Sequence, residues 1–91
     1  MRQAVSRNQN TSEETLEKLA NDDDKDVRLN VAGHDNANQS TLAKLAHDMN
    51  VLVRERVVRN ENTGADILND LAQNDPDEYV RALAIARLNS D

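Results

Sequence analysis

The chain of 91 residues has room for one small domain, and with one Tyr, no Phe and no Trp its core must come from Leu, Val, Ile and Ala. Eleven Lys and Arg against 17 Asp and Glu leave a net charge of −6, which argues against a generic DNA- or membrane-surface binder. The absence of Cys excludes disulfides, thiolate nucleophiles, iron–sulfur clusters and Cys-ligated zinc.

No apolar run approaches the roughly 18 residues of a membrane span, and no signal peptide is visible over Met1–Arg7. A soluble, cytoplasmic module is the expectation.

In chain order, the first segment, Met1-Arg2-Gln3-Ala4-Val5-Ser6, returns as Val27-Arg28-Leu29-Asn30-Val31-Ala32. It returns again as Val53-Arg54-Glu55-Arg56-Val57-Val58 and as Val80-Arg81-Ala82-Leu83-Ala84-Ile85. The arginines at 2, 28, 54 and 81 are 26, 26 and 27 residues apart. Between them recurs a second segment: Thr15-Leu16-Glu17-Lys18-Leu19-Ala20, Thr41-Leu42-Ala43-Lys44-Leu45-Ala46 and Ile67-Leu68-Asn69-Asp70-Leu71-Ala72. The one extra residue therefore falls in Gln73-Asn74-Asp75. A period of this length signals an all-α solenoid of about three and a half two-helix units: 1–26, 27–52, 53–79 and a terminal half-unit 80–91.

Within each unit, Val at i and i+4 predicts one short helix, and Leu at i and i+3 followed by Ala predicts another. Thr11-Ser12-Glu13-Glu14 has the form of a capping box with Thr11 at the helix start. Thr63 takes the matching place with Asp66 where the Glu would stand, and Asn38 or Ser40 is the expected cap between them. The Asn-rich stretches Asn8-Gln9-Asn10, His34-Asp35-Asn36 and Asn60-Glu61-Asn62 predict the turns. The last helix, from Asp77 to Asn89, is expected to close the core with Leu83, Ile85 and Leu88 and to point Arg87 outward. Helices this short are marginal alone in water, so neighbours must hold them.

The pattern Asp-x-Asp-x-x-Val-Arg-x-x-Val-Ala, then Asn-x-x-Thr, then Leu-x-x-Leu-Ala, resembles the variant leucine-rich repeat, a HEAT-like helical repeat. The resemblance covers nearly the whole chain and implies a right-handed α–α superhelix that serves as a generic scaffold. The unit is slightly longer than is usual in that family, and Gln9 and Asp35 stand where proline is common. The iron–sulfur domain found beside some such repeats needs Cys, which this chain lacks.

Asp22, Asp48 and Asp75 each precede an Arg by six, at Arg28, Arg54 and Arg81. The resemblance implies a structural ladder in which each Asp bonds backbone and Arg across the loop between helices. A catalytic or metal-binding carboxylate row is disfavoured, because one active site does not recur in every unit. The acidic run Asp22-Asp23-Asp24-Lys25-Asp26 lacks the Gly and distant Glu of an EF-hand and reads as turn and helix start. His34 and His47 occupy turn columns, 13 residues apart, with no second pair to complete a zinc site. The serines sit in no nucleophile elbow, and two Gly make no phosphate loop. No catalytic, cofactor-binding or metal-binding residue is expected.

Columns that vary between units are free for recognition. By the HEAT likeness the Val-Arg helices line the concave side, where Arg7, Asn30, Arg56 and Arg59 are the candidate partner-binding residues. Arg is favoured at interface hot spots and anion sites. The other face carries Glu13, Glu14, Glu17 and Lys18, then Gln39, Ser40, Ala43 and Lys44, then Asp66, Asn69 and Asp70. Net charge by unit is −3, 0, −4 and +1. The expected function is a non-enzymatic protein–protein interaction scaffold with a protein partner. The alternative is a nucleic-acid-associated module, or an acidic DNA mimic that inhibits a DNA-binding protein. Met1 starts directly in a Val-Arg segment without a cap. That predicts a fragment, a piece continued in a partner, or a homo-oligomer joined through Ala4, Val5, Leu16 and Leu19.

Overall fold

A computed structural model describes residues 11–90, which form six helices and no strand among the described residues. The helices are α1 (Glu13–Leu19), α2 (Lys25–Ala32), α3 (Gln39–Leu45), α4 (Val51–Arg59), α5 (Ala65–Asn74) and α6 (Glu78–Asn89). The chain is all-α. It fills a flattened envelope of 36 × 25 × 16 Å.

Among the described residues every helix start but one is held by a side chain. Asp24 Oδ1 accepts from Asp26 N at 2.8 Å, Asn38 Oδ1 from Thr41 N at 3.0 Å, and Asn50 Oδ1 from Leu52 N at 2.8 Å. Asp77 Oδ1 takes both Tyr79 N and Val80 N. Each satisfies a backbone donor that the first helical turn leaves open. The cap of α1 is Ser12, whose hydroxyl accepts from Thr15 N at 3.2 Å. Thr11, the expected cap, lies one residue too early and is buried, with its carbonyl accepting from Asn36 Nδ2. The start of α5 also differs from expectation. Thr63 turns its hydroxyl back onto the Val57 carbonyl at 2.6 Å, which leaves Gly64 at the cap position with no side-chain bond to the helix. Gln39 Oε1 accepts from Gly64 N at 2.9 Å instead, so a neighbouring helix takes over.

The two spacings deliver two kinds of core surface. The Leu spacing buries Leu16, Leu42, Leu45, Leu68 and Leu71 from α1, α3 and α5; the Val spacing buries Val27, Val31, Val53, Val57 and Val80 from α2, α4 and α6. Each such side chain stabilises the fold by about 1.5–3 kcal/mol relative to exposure. Helix α2 packs on α4, and α4 on α6; α1 and α3 each touch α2, α3 also touches α4, and α5 lies along α6 as the most extensive pair. The one aromatic ring takes no part in the core, since Tyr79 is 54% exposed.

Leu16 is completely buried and Leu19 half-buried against the core, while Ala4 and Val5, the other two residues of the expected association face, lie outside the described residues. Two expectations about the last helix need correction. Ile85 does not close the core: it is 48% exposed, although Leu83 and Leu88 do pack against the buried cluster. Arg87 does not point outward. Its Nη1 donates to the carbonyls of Val58 and Asn60, satisfying the end of α4, where carbonyl oxygens lack helical partners.

Candidate interaction surface

Two rows of polar contacts tie the helices together. In the first, Arg28 Nε meets Asp48 Oδ1 at 2.7 Å and Arg54 Nε meets Asp75 Oδ2 at 2.8 Å. Each Arg also donates from Nη1 to the main-chain oxygen of the Asp six residues before it: Asp22 and Asp48, both at 2.8 Å, and Asp75 for Arg81 at 2.7 Å. The Arg thus holds its own loop by the backbone and the next loop by the carboxylate. The second oxygen of Asp48 and of Asp75 accepts the N–H two residues on, at Asn50 and Asp77, both at 2.9 Å. Asp22 Oδ1 likewise accepts from Asp24 N at 2.9 Å.

The second row runs through the turns. Buried Asn60 donates from Nδ2 to the carbonyls of Ala32 and His34 at 2.8 and 3.0 Å, and its Oδ1 accepts from Asn62 N. His34, also buried, accepts on Nδ1 from Asn36 N at 3.0 Å. Asn62 Nδ2 donates to the Asp35 carbonyl, and Gln39 Nε2 to that of Asn62. These side chains replace water at backbone groups that the turns would otherwise strand.

His47 pairs with Asp70 at 3.1 Å on the opposite side, where both remain substantially exposed. They border a cleft of about 200 Å³ with Asp48, Arg54, Asn74 and Asp75. Its charged walls are already engaged with one another. Among the described residues no group of three or more His, Asp or Glu is placed to hold a metal ion, and no helix is long and apolar enough to cross a membrane.

The exposed side of α2, α4 and α6 is different in kind. A cleft of about 200 Å³ opens there between Leu29, Leu52, Glu55, Arg56 and Arg59. Leu52 is 53% exposed, and Tyr79 stands in the matching register of α6. Arg59 is held from two sides, Nε by Glu55 Oε1 at 3.2 Å and Nη2 by the Tyr79 hydroxyl at 3.1 Å. Arg56 lies across Gly33: a Cβ there would stand 3.0 Å from Arg56 Cδ, so the missing side chain is what lets the arginine lie flat. Its guanidinium makes no ion pair among the described residues. Asn30 is half-buried on α2, and Arg7 lies outside the described residues.

No family model, no curated protein and no solved structure matches this chain. The surface must therefore be read from its own chemistry. It brings Arg56 and Arg59 together as their spacing implies, with apolar Leu29, Leu52 and Tyr79 around them. Leu52 and Tyr79 are the residues that spacing alone passes over. Their signal was an apolar side chain one place before the core valines Val53 and Val80, off the buried i, i+4 stripe.

Proposed function

We propose that this chain is a non-enzymatic protein-interaction scaffold. In this reading its helix pairs stack as a right-handed solenoid of the variant leucine-rich, HEAT-like kind, and the partner docks on the exposed side of α2, α4 and α6. One observation carries it: Arg56 is an exposed cation with no ion-pair partner among the described residues, laid over Gly33 at the edge of a cleft that Leu29 and Leu52 also line. A cation already fixed by packing loses little side-chain freedom on binding, and a guanidinium in an apolar rim is a strong site for a carboxylate. The partner that fits is a segment carrying an acidic residue beside apolar ones.

The test is affinity capture with cross-linking to locate the bound face. Arg56→Glu/Arg59→Glu is compared with Lys18→Glu/Lys44→Glu, two exposed changes of the same sign on α1 and α3. Loss of the partner in the first variant and retention in the second is expected. Equal capture by both variants and the unaltered protein rejects this face as the binding site.

A further inference from the structure

Helices α3 and α5 leave a furrow between them. Helix α3 packs on α2 and α4, while α5 lies chiefly along α6. The furrow walls are short side chains, Ser40 and Ala43 on α3 with Gly64 and Ala65 at the start of α5. They enclose about 540 Å³, which Asp66 and Ile67 also border. A recess of about 150 Å³ continues it, sharing Ala43, Asp66 and Ile67 and adding Ala46, His47 and Asp70.

Polar contacts across the furrow hold both of its ends. At one, Gln39 accepts from Gly64 N on Oε1 at 2.9 Å and donates from Nε2 to the Asn62 carbonyl. At the other, His47, just past α3, meets Asp70 of α5 at 3.1 Å. The width is therefore set before anything binds, which lowers the ordering cost of association.

The furrow offers an apolar surface, from Ala43, Ala46 and half-buried Ile67, beside two negative charges. Asp66 and Asp70 share a face of α5 at i and i+4, a placement in which like charges repel. No Lys or Arg lines the furrow; Lys44 borders the cleft between α1 and α3 instead. Asp66 makes no ion pair among the described residues. Asp70 has His47, charged only when protonated, and the neutral amide of Asn74.

We propose that the furrow between α3 and α5 is a second docking surface, for a basic segment of another protein that carries Lys or Arg beside an apolar side chain. The apolar side chain lies on Ala43 and Ile67, and the cation comes between Asp66 and Asp70. Charge complementarity selects this occupant, because an acidic segment would bring like charge against both aspartates. A second copy of this chain, with its net charge of −6, is disfavoured on the same ground. The proposal goes beyond the reading above and needs neither the solenoid nor the Arg56 face.

The probe is a short amidated peptide of Lys and Leu in helical spacing, added to the full chain and followed by NMR. Shifts concentrated at the methyl groups of Ala43 and Ile67 are expected. Asp66→Asn/Asp70→Asn should weaken binding about fivefold. Glu13→Gln/Glu14→Gln removes the same charge from exposed positions of α1 and should weaken it less than about twofold. Ala43→Gln, exposed on α3 and neutral, fills the furrow and should abolish binding. Shifts spread evenly over every acidic patch, or equal weakening by the two charge variants, would mean attraction by net charge alone and overturn the proposal. Unaltered binding to Ala43→Gln, or no shift at Ile67 up to about 1 mM peptide, overturns it as well.

Discussion

Arg54 reaches past its own loop to the carboxylate of Asp75, 21 residues further along the chain, and meets it at 2.8 Å with the Asp75 side chain 1% exposed. The same Asp75 accepts from Asp77 N with its other oxygen, so one carboxylate joins two helices and starts a third element. Replacing Asp75 by Ala leaves a buried guanidinium without its counter-charge. The expected loss is about 3–5 kcal/mol, the range for breaking one side of a buried pair. Asp48→Ala should lose less, because the Arg28–Asp48 side chains are more exposed. Urea unfolding followed by circular dichroism decides between them. A loss below about 1 kcal/mol for Asp75→Ala would make this an ordinary surface pair.

Asn60 is the second joint. Asn60→Ala removes donors to the Ala32 and His34 carbonyls and the acceptor for Asn62 N, and should cost about 1–3 kcal/mol. Asn60→Asp is the sharper probe, since an ionised carboxylate would face two carbonyl oxygens. Folding then favours its protonated form and raises its pKa above the unfolded value. Its deficit against the unaltered protein should be small in acid and grow as pH rises through the folded pKa. A deficit independent of pH would count against the carbonyl contacts.

The apolar core makes a contrast between two leucines. Leu42→Ala empties a completely buried site in α3 and should destabilise by about 2–5 kcal/mol. Leu52→Ala, on the exposed rim of the α4 cleft, should change stability by no more than about 0.5 kcal/mol while weakening partner capture. Thermal and urea unfolding of the two variants side by side give the answer. Comparable losses would mean that Leu52 belongs to the core.

Gly33 has an ordinary negative φ of −96°, so its backbone accepts a side chain, and the nearest atoms that side chain would meet are those of Arg56. Gly33→Ala should therefore shift stability by less than about 1 kcal/mol. It should nevertheless lower partner affinity, because Arg56 must leave its resting place. Titration of the captured partner against both proteins tests this; unchanged affinity would show that the packed position of Arg56 is irrelevant to binding.

Some of this was legible in the residues. The spacing of Val27/Val31, Leu42/Leu45 and their counterparts marked the core, because helical periodicity decides which side chains share a face before any partner is known. The Asp and Arg columns marked groups that act together, and Asn38 was a readable cap. Less was legible where a polar group had a choice. Thr11 and Thr63 fit the cap position by pattern, yet Ser12 and Gly64 occupy it, because a hydroxyl can bond any backbone group within reach and Thr63 found the Val57 carbonyl. Arg87 was free to face water by its spacing, but the carbonyls at the end of α4 lay within reach of its guanidinium.

What the amino-acid order determined by itself was local: short helices, six of them among the described residues, too short to stand alone, with their buried faces set by the 3.6-residue turn. What only the tertiary structure decided was which chain neighbours meet. Each of Arg28 and Arg54 pairs with the aspartate of the following loop and not with the side chain six residues back, and Arg56 comes to rest on Gly33 of another helix. The reason is physical. Periodicity orients a side chain around its own helix axis, whereas the partner it meets depends on how far and at what angle the next helix lies, and that is set by close packing of the whole core.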